Sequence, residues 1–341
     1  MISKALAVLA SLMLALGASS AWGQTKTIRW GTSSVGSVGH RVVTQLAEVL
    51  SREMPDYQFV VQPTPGAILT VKGYATGQFE AFYGANIAFY ELANDINRFE
   101  GFKAQMKREP VQSFWTYTTD MGLSVHKRDK DKYKQWRDLI DKRVFTGPRP
   151  WDTRAQLERA FRALGMKYNY TEVGIAQAGS LLESGRLDAM LIYTSAQATT
   201  PPWLAEATLQ TEWTALNPSA AEIELLKKAG VAAVQVDANL FRNKSVGVDK
   251  VTLLPFYYGF HVGMDMSEQD VYRLLKIVEK RLNDLVKADK GFAQLAQDMV
   301  GMQRQGVESA IDLVPVHPGL AKFMREKGAW DAKWDARIAK K

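Results

Sequence analysis

The sequence predicts an α/β protein of two domains, with sheets built mainly from parallel strands. Short apolar runs with strand propensity alternate with stretches whose apolar residues recur at helical spacing, which is typical of parallel sheets covered by helices. The alternation starts again after the charged segment Lys127–Arg137. The chain has 341 residues, and at roughly 150 residues per domain this length also corresponds to about two domains.

The first series of elements lies before residue 127. Its first helix has Val38, Val42 and Leu46 on one face and is expected to end before Pro55. In chain order, we predict strand Ile28–Thr32, helix Val38–Met54, strand Gln58–Thr64, helix Ala67–Thr76, strand Phe79–Tyr83, helix Ile87–Asn97, and strands Trp115–Thr119 and Gly122–His126.

The second series repeats the alternation and ends with a long amphipathic helix. We predict strands Arg143–Thr146, Tyr170–Val173, Ala189–Tyr193, Val231–Val236 and Phe256–Gly263, and helices Asp152–Leu164, Ala176–Ser184, Trp203–Thr208 and Ser267–Lys287. The last of these helices carries Val271, Leu274 and Val278 on one face. The segment after Gly291 is expected to be mostly helical.

The first 23 residues are predicted to be a secretory signal peptide. Lys4 supplies a positive charge, and the apolar run Ala5–Leu16 is too short to cross a bilayer as a helix. Ala21-Trp22-Gly23 has the small-x-small pattern of a cleavage site, so we expect cleavage after Gly23 and a bacterial periplasmic product. The alternative is an N-terminal membrane anchor.

Composition and motifs argue against several classes of function. The chain has no Cys, which excludes disulfides, thiol catalysis and lipid attachment through Cys. Its net charge of +7 is spread among alternating acidic and basic residues, so we expect no nucleic-acid partner. The four histidines lack the spacing of metal ligands, and none of the common catalytic or nucleotide-binding motifs occurs. We therefore predict a protein that is not an enzyme and uses no metal or cofactor.

Two loops share one pattern, in which a strand ends near a glycine and a short loop leads into a helix. They are Trp30–Ser34 and Thr146–Asp152. A helix N-terminus exposes unpaired N–H groups and the positive end of the helix dipole, which favours anions. The residues alone leave two interpretations open: ordinary strand-to-helix turns, or a clamp in which one loop from each domain holds a small anion.

Several short motifs, in this order, make the chain resemble the TAXI family of solute receptors, the periplasmic binding components of a class of TRAP transporters. The motifs are Trp30–Gly36, Thr64-Pro65-Gly66, Gly77–Ala81, Asp141–Gly147, Gly185–Ala189 with Thr200-Pro201-Pro202, and His317-Pro318-Gly319 with Lys327-Gly328 and Trp330. The chain departs from the family at Val38-Gly39-His40, where a Tyr pair is common, and at Trp151 and Asp152, which replace Ser and Gly before Thr153.

The resemblance implies an α/β, two-lobed periplasmic-binding-protein fold of type II topology with the ligand cleft between the lobes. Lobe I would comprise residues 24–126 plus 255–341, and lobe II residues 127–254. The implied function is to capture a small organic anion, a carboxylate or an amino-acid-like molecule, and to deliver it to a TRAP-type membrane permease. The alternatives are a ligand-sensing periplasmic subunit of a signalling system and, less favoured, a periplasmic hydrolase.

The candidate ligand-binding residues follow the ends of strands in both lobes. From lobe I they are Thr32, Ser33, Ser34, Val35, Thr64, Gly66 and Asn86, and from lobe II they are Arg149, Trp151, Thr153, Tyr193 and Thr194. Arg149 is expected to pair with a ligand carboxylate, since guanidinium groups bind carboxylates in a bidentate manner. Trp151 suggests a flat apolar ligand body, and Asp152 is expected to cap its own helix.

Overall fold

A computed structural model describes residues 25–340. The predicted signal peptide and its cleavage site lie outside these residues. The strands are β1 (Lys26–Thr32), β2 (Tyr57–Pro63), β3 (Ala81–Ala85), β4 (Trp115–His126), β5 (Arg143–Phe145), β6 (Asn169–Tyr170), β7 (Ala189–Ser195), β8 (Trp213–Leu216), β9 (Val234–Asp237) and β10 (Lys250–Val262). The α-helices are α1 (Val38–Glu53), α2 (Ala67–Thr76), α3 (Asn86–Asn94), α4 (Asp152–Ala163), α5 (Ala178–Glu183), α6 (Pro202–Gln210), α7 (Ala220–Lys228), α8 (Glu268–Ala288), α9 (Ala293–Gln297), α10 (Met299–Ala310) and α11 (Pro318–Glu326).

Within residues 25–340 the strands form one ten-stranded sheet, which divides into two groups with the same internal order, one in each lobe. In lobe I the order is β2-β1-β3-β10-β4, and in lobe II it is β6-β5-β7-β4-β8. The first three strands of each group are parallel, and the fourth runs antiparallel to them. This repeated order confirms the predicted two-lobed α/β fold of type II topology.

Two long strands, β4 and β10, connect the lobes. The first part of β4 pairs with β10, and its last part, from Leu123, pairs with β8. The sequence predicted two strands here, which is wrong: β4 is continuous. Asp120 lies buried inside the strand rather than in a turn. Gly122 lets β4 pass close to β10, because a Cβ at this position would lie 2.8 Å from the Leu253 side chain.

The bounds of several other strands are set by pairing with strands that are distant in the sequence, so the local sequence does not predict them. β10 begins at Lys250, six residues before the predicted start, because its first residues pair with β9. β3 ends at Ala85, opposite Tyr258 of β10. β8, which pairs with the end of β4, is a short strand that the sequence did not predict.

The long C-terminal helix forms as its sequence predicts. Ser267 caps α8 by accepting a hydrogen bond from the backbone N–H of Asp270 at 3.1 Å. Its apolar residues, including Val271, Leu274 and Val278, are buried. Within residues 25–340, no helix combines the length and the apolarity needed to cross a membrane.

Candidate functional site

A cavity lies between the two lobes, with about 500 Å³ of empty space that is partly open to solvent. Its walls come from strand ends and helix starts of both lobes, which is where type II proteins place a cleft. The lining residues are Ser33, Ser34, Ser37, Val38, Gly39, Gly66, Ala67, Tyr83, Tyr117, Thr119, Trp151, Asp152, Thr153, Tyr193, Ser195 and Tyr258.

Three helices begin at this cavity, two from lobe I and one from lobe II. α1 begins after Ser37, whose Oγ accepts a hydrogen bond from the backbone N–H of His40 at 3.2 Å. α2 begins after Gly66, and α4 begins after Trp151. Each helix start exposes N–H groups and a positive dipole end, so both lobes direct such groups towards the cavity.

Several hydroxyl groups line the cavity among its apolar side chains. Ser33 Oγ and Ser37 Oγ are 2.6 Å apart and share a hydrogen bond. Thr153 Oγ1, in the first turn of α4, is buried and has no hydrogen-bond partner within residues 25–340. A buried hydroxyl without a partner is unfavourable, so a hydrogen bond to a molecule in the adjacent cavity would stabilise this atom.

Tyrosine side chains form an apolar wall with polar tips. The rings of Tyr83 and Tyr258 are stacked with centroids 4.2 Å apart, and the hydroxyl groups of Tyr83 and Tyr117 are 2.6 Å apart. Burial raises the pKa of Tyr193 to about 12, so this phenol stays protonated and able to donate a hydrogen bond.

One carboxylate lies at the cavity wall, and it is already paired. Asp152 Oδ2 accepts a hydrogen bond from Tyr258 Oη at 2.7 Å, and Asp152 Oδ1 lies 2.8 Å from Arg98 Nη1. The expected helix cap is wrong, because the cap residue of α4 is Trp151 and Asp152 bonds instead to residues of lobe I. Within residues 25–340, no Lys or Arg lines the cavity. An anion here would therefore meet neutral donors and helix N-termini.

The described residues show no arrangement for a metal ion. Within residues 25–340, no group of three or more His, Asp or Glu side chains is placed to hold one. None of the four histidines lines the cavity. Burial lowers the pKa of His261 to about 3, and its Nδ1 accepts a hydrogen bond from the backbone N–H of Ser113 at 3.1 Å. This histidine therefore has a structural role in the core.

The model of the NMT1-like family matches residues 30–328. The chain belongs to the NMT1-like family. No curated protein is similar enough in sequence to count as a relative.

Solved structures of binding proteins resemble this NMT1-like protein at low sequence identity. The periplasmic aliphatic sulphonate binding protein SsuA from Escherichia coli is 13% identical, over 89% of this chain and 90% of that one, with a TM-score of 0.43. The probable amino-acid ABC transporter extracellular-binding protein ytmK from Bacillus subtilis is 14% identical, over 79% and 98%, with a TM-score of 0.42. The putative L-cystine ABC transporter from Listeria monocytogenes is 13% identical, over 79% and 96%, with a TM-score of 0.42.

Half of the candidate ligand-binding residues of this NMT1-like protein lie at the cavity. These six, which come from both lobes, are Ser33, Ser34, Gly66, Trp151, Thr153 and Tyr193. The two loops that share one pattern in the sequence therefore meet at the same space.

Three threonines among the candidates lie beneath the cavity surface. Thr32 is fully buried in β1. Thr64 Oγ1 donates to the carbonyl oxygens of Thr32 and Gly66, each at 2.9 Å, and so holds the loop before α2. Thr194 Oγ1 points to the other face of β7 and donates to Asp120 Oδ2 at 3.3 Å. Residues close to them in the sequence line the cavity instead: Ser33, Gly66, Tyr193 and Ser195.

The other three candidates lie away from the cavity. Asn86 Oδ1 accepts a hydrogen bond from the backbone N–H of Tyr257 at 3.0 Å, on the opposite face of β10. Val35 is 73% exposed. The Arg149 side chain is 74% exposed, and its Nε lies 3.0 Å from Glu172 Oε2. In this structure Arg149 pairs with a neighbouring side chain of lobe II, and its predicted pairing with a ligand carboxylate stays a prediction.

Sequence reasoning missed the residues that strands bring to the cavity. Tyr83, Tyr117, Thr119, Ser195 and Tyr258 all line it. Within β4, Tyr117 and Thr119 are two residues apart and so face the same side, which is a signal that the sequence does contain. The antiparallel pairing that places Tyr258 beside Tyr117 spans 141 residues (258 − 117) and leaves no local signal.

Proposed function

We propose that this protein is the periplasmic solute-binding subunit of a TRAP-type secondary transporter. It captures one small organic anion, a carboxylate or an amino-acid-like molecule, between its lobes and delivers that molecule to the membrane permease. The observation that carries the proposal is the meeting of three helix N-termini, from both lobes, at one cavity with the unpartnered hydroxyl of Thr153. The resemblance to TAXI receptors supports the choice of a TRAP-type permease.

The lobes are proposed to comprise residues 24–126 plus 255–341 and residues 127–254. The two crossings then fall at the end of β4 and within β10, and these two strands form the hinge. An anion that contacts both lobes only in the closed arrangement stabilises that arrangement by population shift. Capture and release in this mechanism require no covalent step.

Within the cavity, neutral groups from both lobes hold the anion. Ser33 and Ser34 in the loop before α1, together with the free N–H groups of α1, face it from lobe I. Thr153 Oγ1 and Tyr193 Oη donate from lobe II. The Trp151 side chain, which is only partly buried, packs against the body of the ligand. Hydrogen bonds to a charged partner contribute about 1.5–3 kcal/mol each.

Thermal unfolding of the mature chain with a ligand panel tests the proposal. The panel contains amino acids, dicarboxylates, oxo acids and aromatic acids, and the protein is first freed of copurified ligand by unfolding and refolding. A ligand at 100 times its dissociation constant adds about 2.7 kcal/mol, which corresponds to roughly 5–10 °C for a domain of 150–250 residues. Such a shift, with the ligand recovered chemically unchanged, supports a receptor; no shift across the panel contradicts it.

The transport step needs its own test. Proteoliposomes that contain a TRAP-type permease should accumulate the ligand only when the closed, loaded protein is added. Accumulation that does not depend on this protein would contradict its role in delivery.

A further inference from the structure

A group of buried charged side chains joins the two proposed lobes beside the cavity. Arg98 lies in the short 3₁₀ segment Asn97–Phe99 of lobe I, and Asp152 begins α4 of lobe II. Arg98 Nη1 is 2.8 Å from Asp152 Oδ1, and the two side chains are 15% and 0% exposed. Arg98 Nε also donates to Glu91 Oε2 of α3 at 2.6 Å. The guanidinium group of Arg98 thus pairs with two buried carboxylates, one on each lobe.

Further contacts at the same place also run between the lobes. Asp152 Oδ2 accepts the hydrogen bond from Tyr258 Oη of β10, so both carboxylate oxygens of Asp152 face groups of lobe I. Arg98 Nη1 also donates to the carbonyl oxygen of Pro150 at 3.3 Å. These contacts join the lobes and would break if the lobes moved apart. With them in place, the start of α4 is directed at the cavity.

We propose that Arg98 is a positioning residue that holds the lobes in their closed arrangement and thereby sets the affinity for the captured anion. This inference rests on the function proposed above. Removing Arg98 leaves Asp152 and Glu91 buried without a positive partner in the closed arrangement, which is strongly unfavourable. In the open arrangement the Asp152 carboxylate is in contact with water, so the removal of Arg98 costs less free energy there. The variant therefore shifts the equilibrium towards the open arrangement.

The environment of Glu91 shows how little water reaches this group. Burial raises the pKa of the Glu91 carboxyl above its usual range, although Arg98 acts in the opposite direction. Within this buried group, Arg98 is the positive partner of Glu91 at 2.6 Å and of Asp152 at 2.8 Å.

The interlobe distance of the ligand-free protein tests the proposal without knowledge of the ligand. Since the chain has no native Cys, a Cys pair at Arg52 of lobe I and Leu209 of lobe II carries two spin labels; both positions are exposed. Arg98→Met is expected to move the main distance population to longer values. Arg98→Lys keeps one positive charge and is expected to restore part of the short-distance population. Arg98→Met combined with Asp152→Asn is expected to be less open than Arg98→Met alone, because it removes the uncompensated charge of Asp152.

Arg325→Met is the control for the loss of an ion pair within one lobe. Arg325 Nη2 lies 2.6 Å from Asp335 Oδ1, and both residues belong to the C-terminal part of lobe I. This variant also loses an arginine–aspartate pair but is expected to leave the interlobe distance unchanged. A shift equal to that of Arg98→Met would overturn the proposal, since it would show a general effect of losing an ion pair.

Affinity for L-glutamate, used as the probe, gives a second measurement. If Arg98→Met lowers the closed fraction to about a tenth, the apparent affinity falls about tenfold. An Arg98→Met protein with the wild-type distance distribution would overturn the positioning role of Arg98. If that variant does not fold, the interlobe distances of Asp152→Asn and Tyr258→Phe are measured instead. Wild-type distances in both variants would overturn the proposal. If L-glutamate does not bind the wild-type protein, the proposed ligand class is in question, whereas the distance measurement still decides the role of Arg98.

Discussion

Gly66 of lobe I lies against Pro150 of lobe II at the edge of the cavity. A Cβ at Gly66 would lie 3.3 Å from both Cβ and the carbonyl oxygen of Pro150. Gly66 has an extended backbone with φ of −177°, a conformation that any residue adopts, so its importance lies in the space its missing side chain leaves. A side chain larger than a methyl group would press against Pro150 in this arrangement of the lobes.

We therefore predict that Gly66→Val keeps the lobes apart and weakens anion binding by about tenfold, as expected when the closed fraction falls to a tenth. Titration calorimetry with a ligand found in the panel measures the change. Gly174→Val is the control, because a Cβ there would meet only the flexible end of Gln177. Equal affinities for Gly66→Val and wild type would contradict a closed binding state.

Thr153 is predicted to donate directly to the anion. Thr153→Val removes the hydroxyl at nearly constant volume and is expected to weaken binding by about 1.5–3 kcal/mol, the range for a hydrogen bond to a charged group. Thr153→Ser keeps the hydroxyl and is expected to retain most of the affinity. Calorimetry on both variants checks this, and equal losses in the two would show that the methyl group, not the hydroxyl, matters.

Arg149→Ala is predicted to change the affinity less than twofold. The side chain is exposed and already pairs with Glu172, and an exposed ion pair contributes only about 0–1 kcal/mol. A loss of tenfold or more in a calorimetric titration would show that Arg149 turns into the cavity when the anion binds, as the sequence alone suggested.

Asp120 is predicted to make the protein less stable as the pH rises from about 4 to about 7. Burial raises the pKa of its carboxyl to about 7 in the folded state, against about 3.9 in an unfolded chain. The folded state thus binds this proton more tightly, and the stability it provides below pH 4 is lost as the pH passes 7, by on the order of 4 kcal/mol.

Asp120→Asn removes this titration. Urea unfolding should show that the variant is more stable than wild type at pH 8 and that this gain shrinks towards pH 4. The same stability difference at both pH values would mean that Asp120 does not titrate in this range.

Amphipathic helices and parallel strands were predictable because their information is local. The buried faces of α1 and α8 follow from helical spacing. The sequence predicts two strands at β4, Trp115–Thr119 and Gly122–His126, whereas Asp120 between them is buried in one continuous strand.

The difference between local and long-range information also explains which residues of the site could be predicted from the sequence. Ser33, Gly66 and Thr153 follow strand ends or begin helices, and such positions can be found in a sequence. Tyr258 reaches the cavity because β10 pairs with β4, which lies far away in the sequence, and the ion pair of Arg98 with Asp152 joins residues from different lobes. Contacts of this kind depend on the fold of the whole chain.

The most direct test of the account is native mass spectrometry of the mature protein, purified from the periplasm without unfolding. The account predicts one organic anion bound per chain, released unchanged on denaturation and absent or strongly reduced in Thr153→Val. A wild-type protein that carries no small molecule, and takes up none of the carboxylates or amino acids of the panel, would contradict the capture of an anion between the lobes.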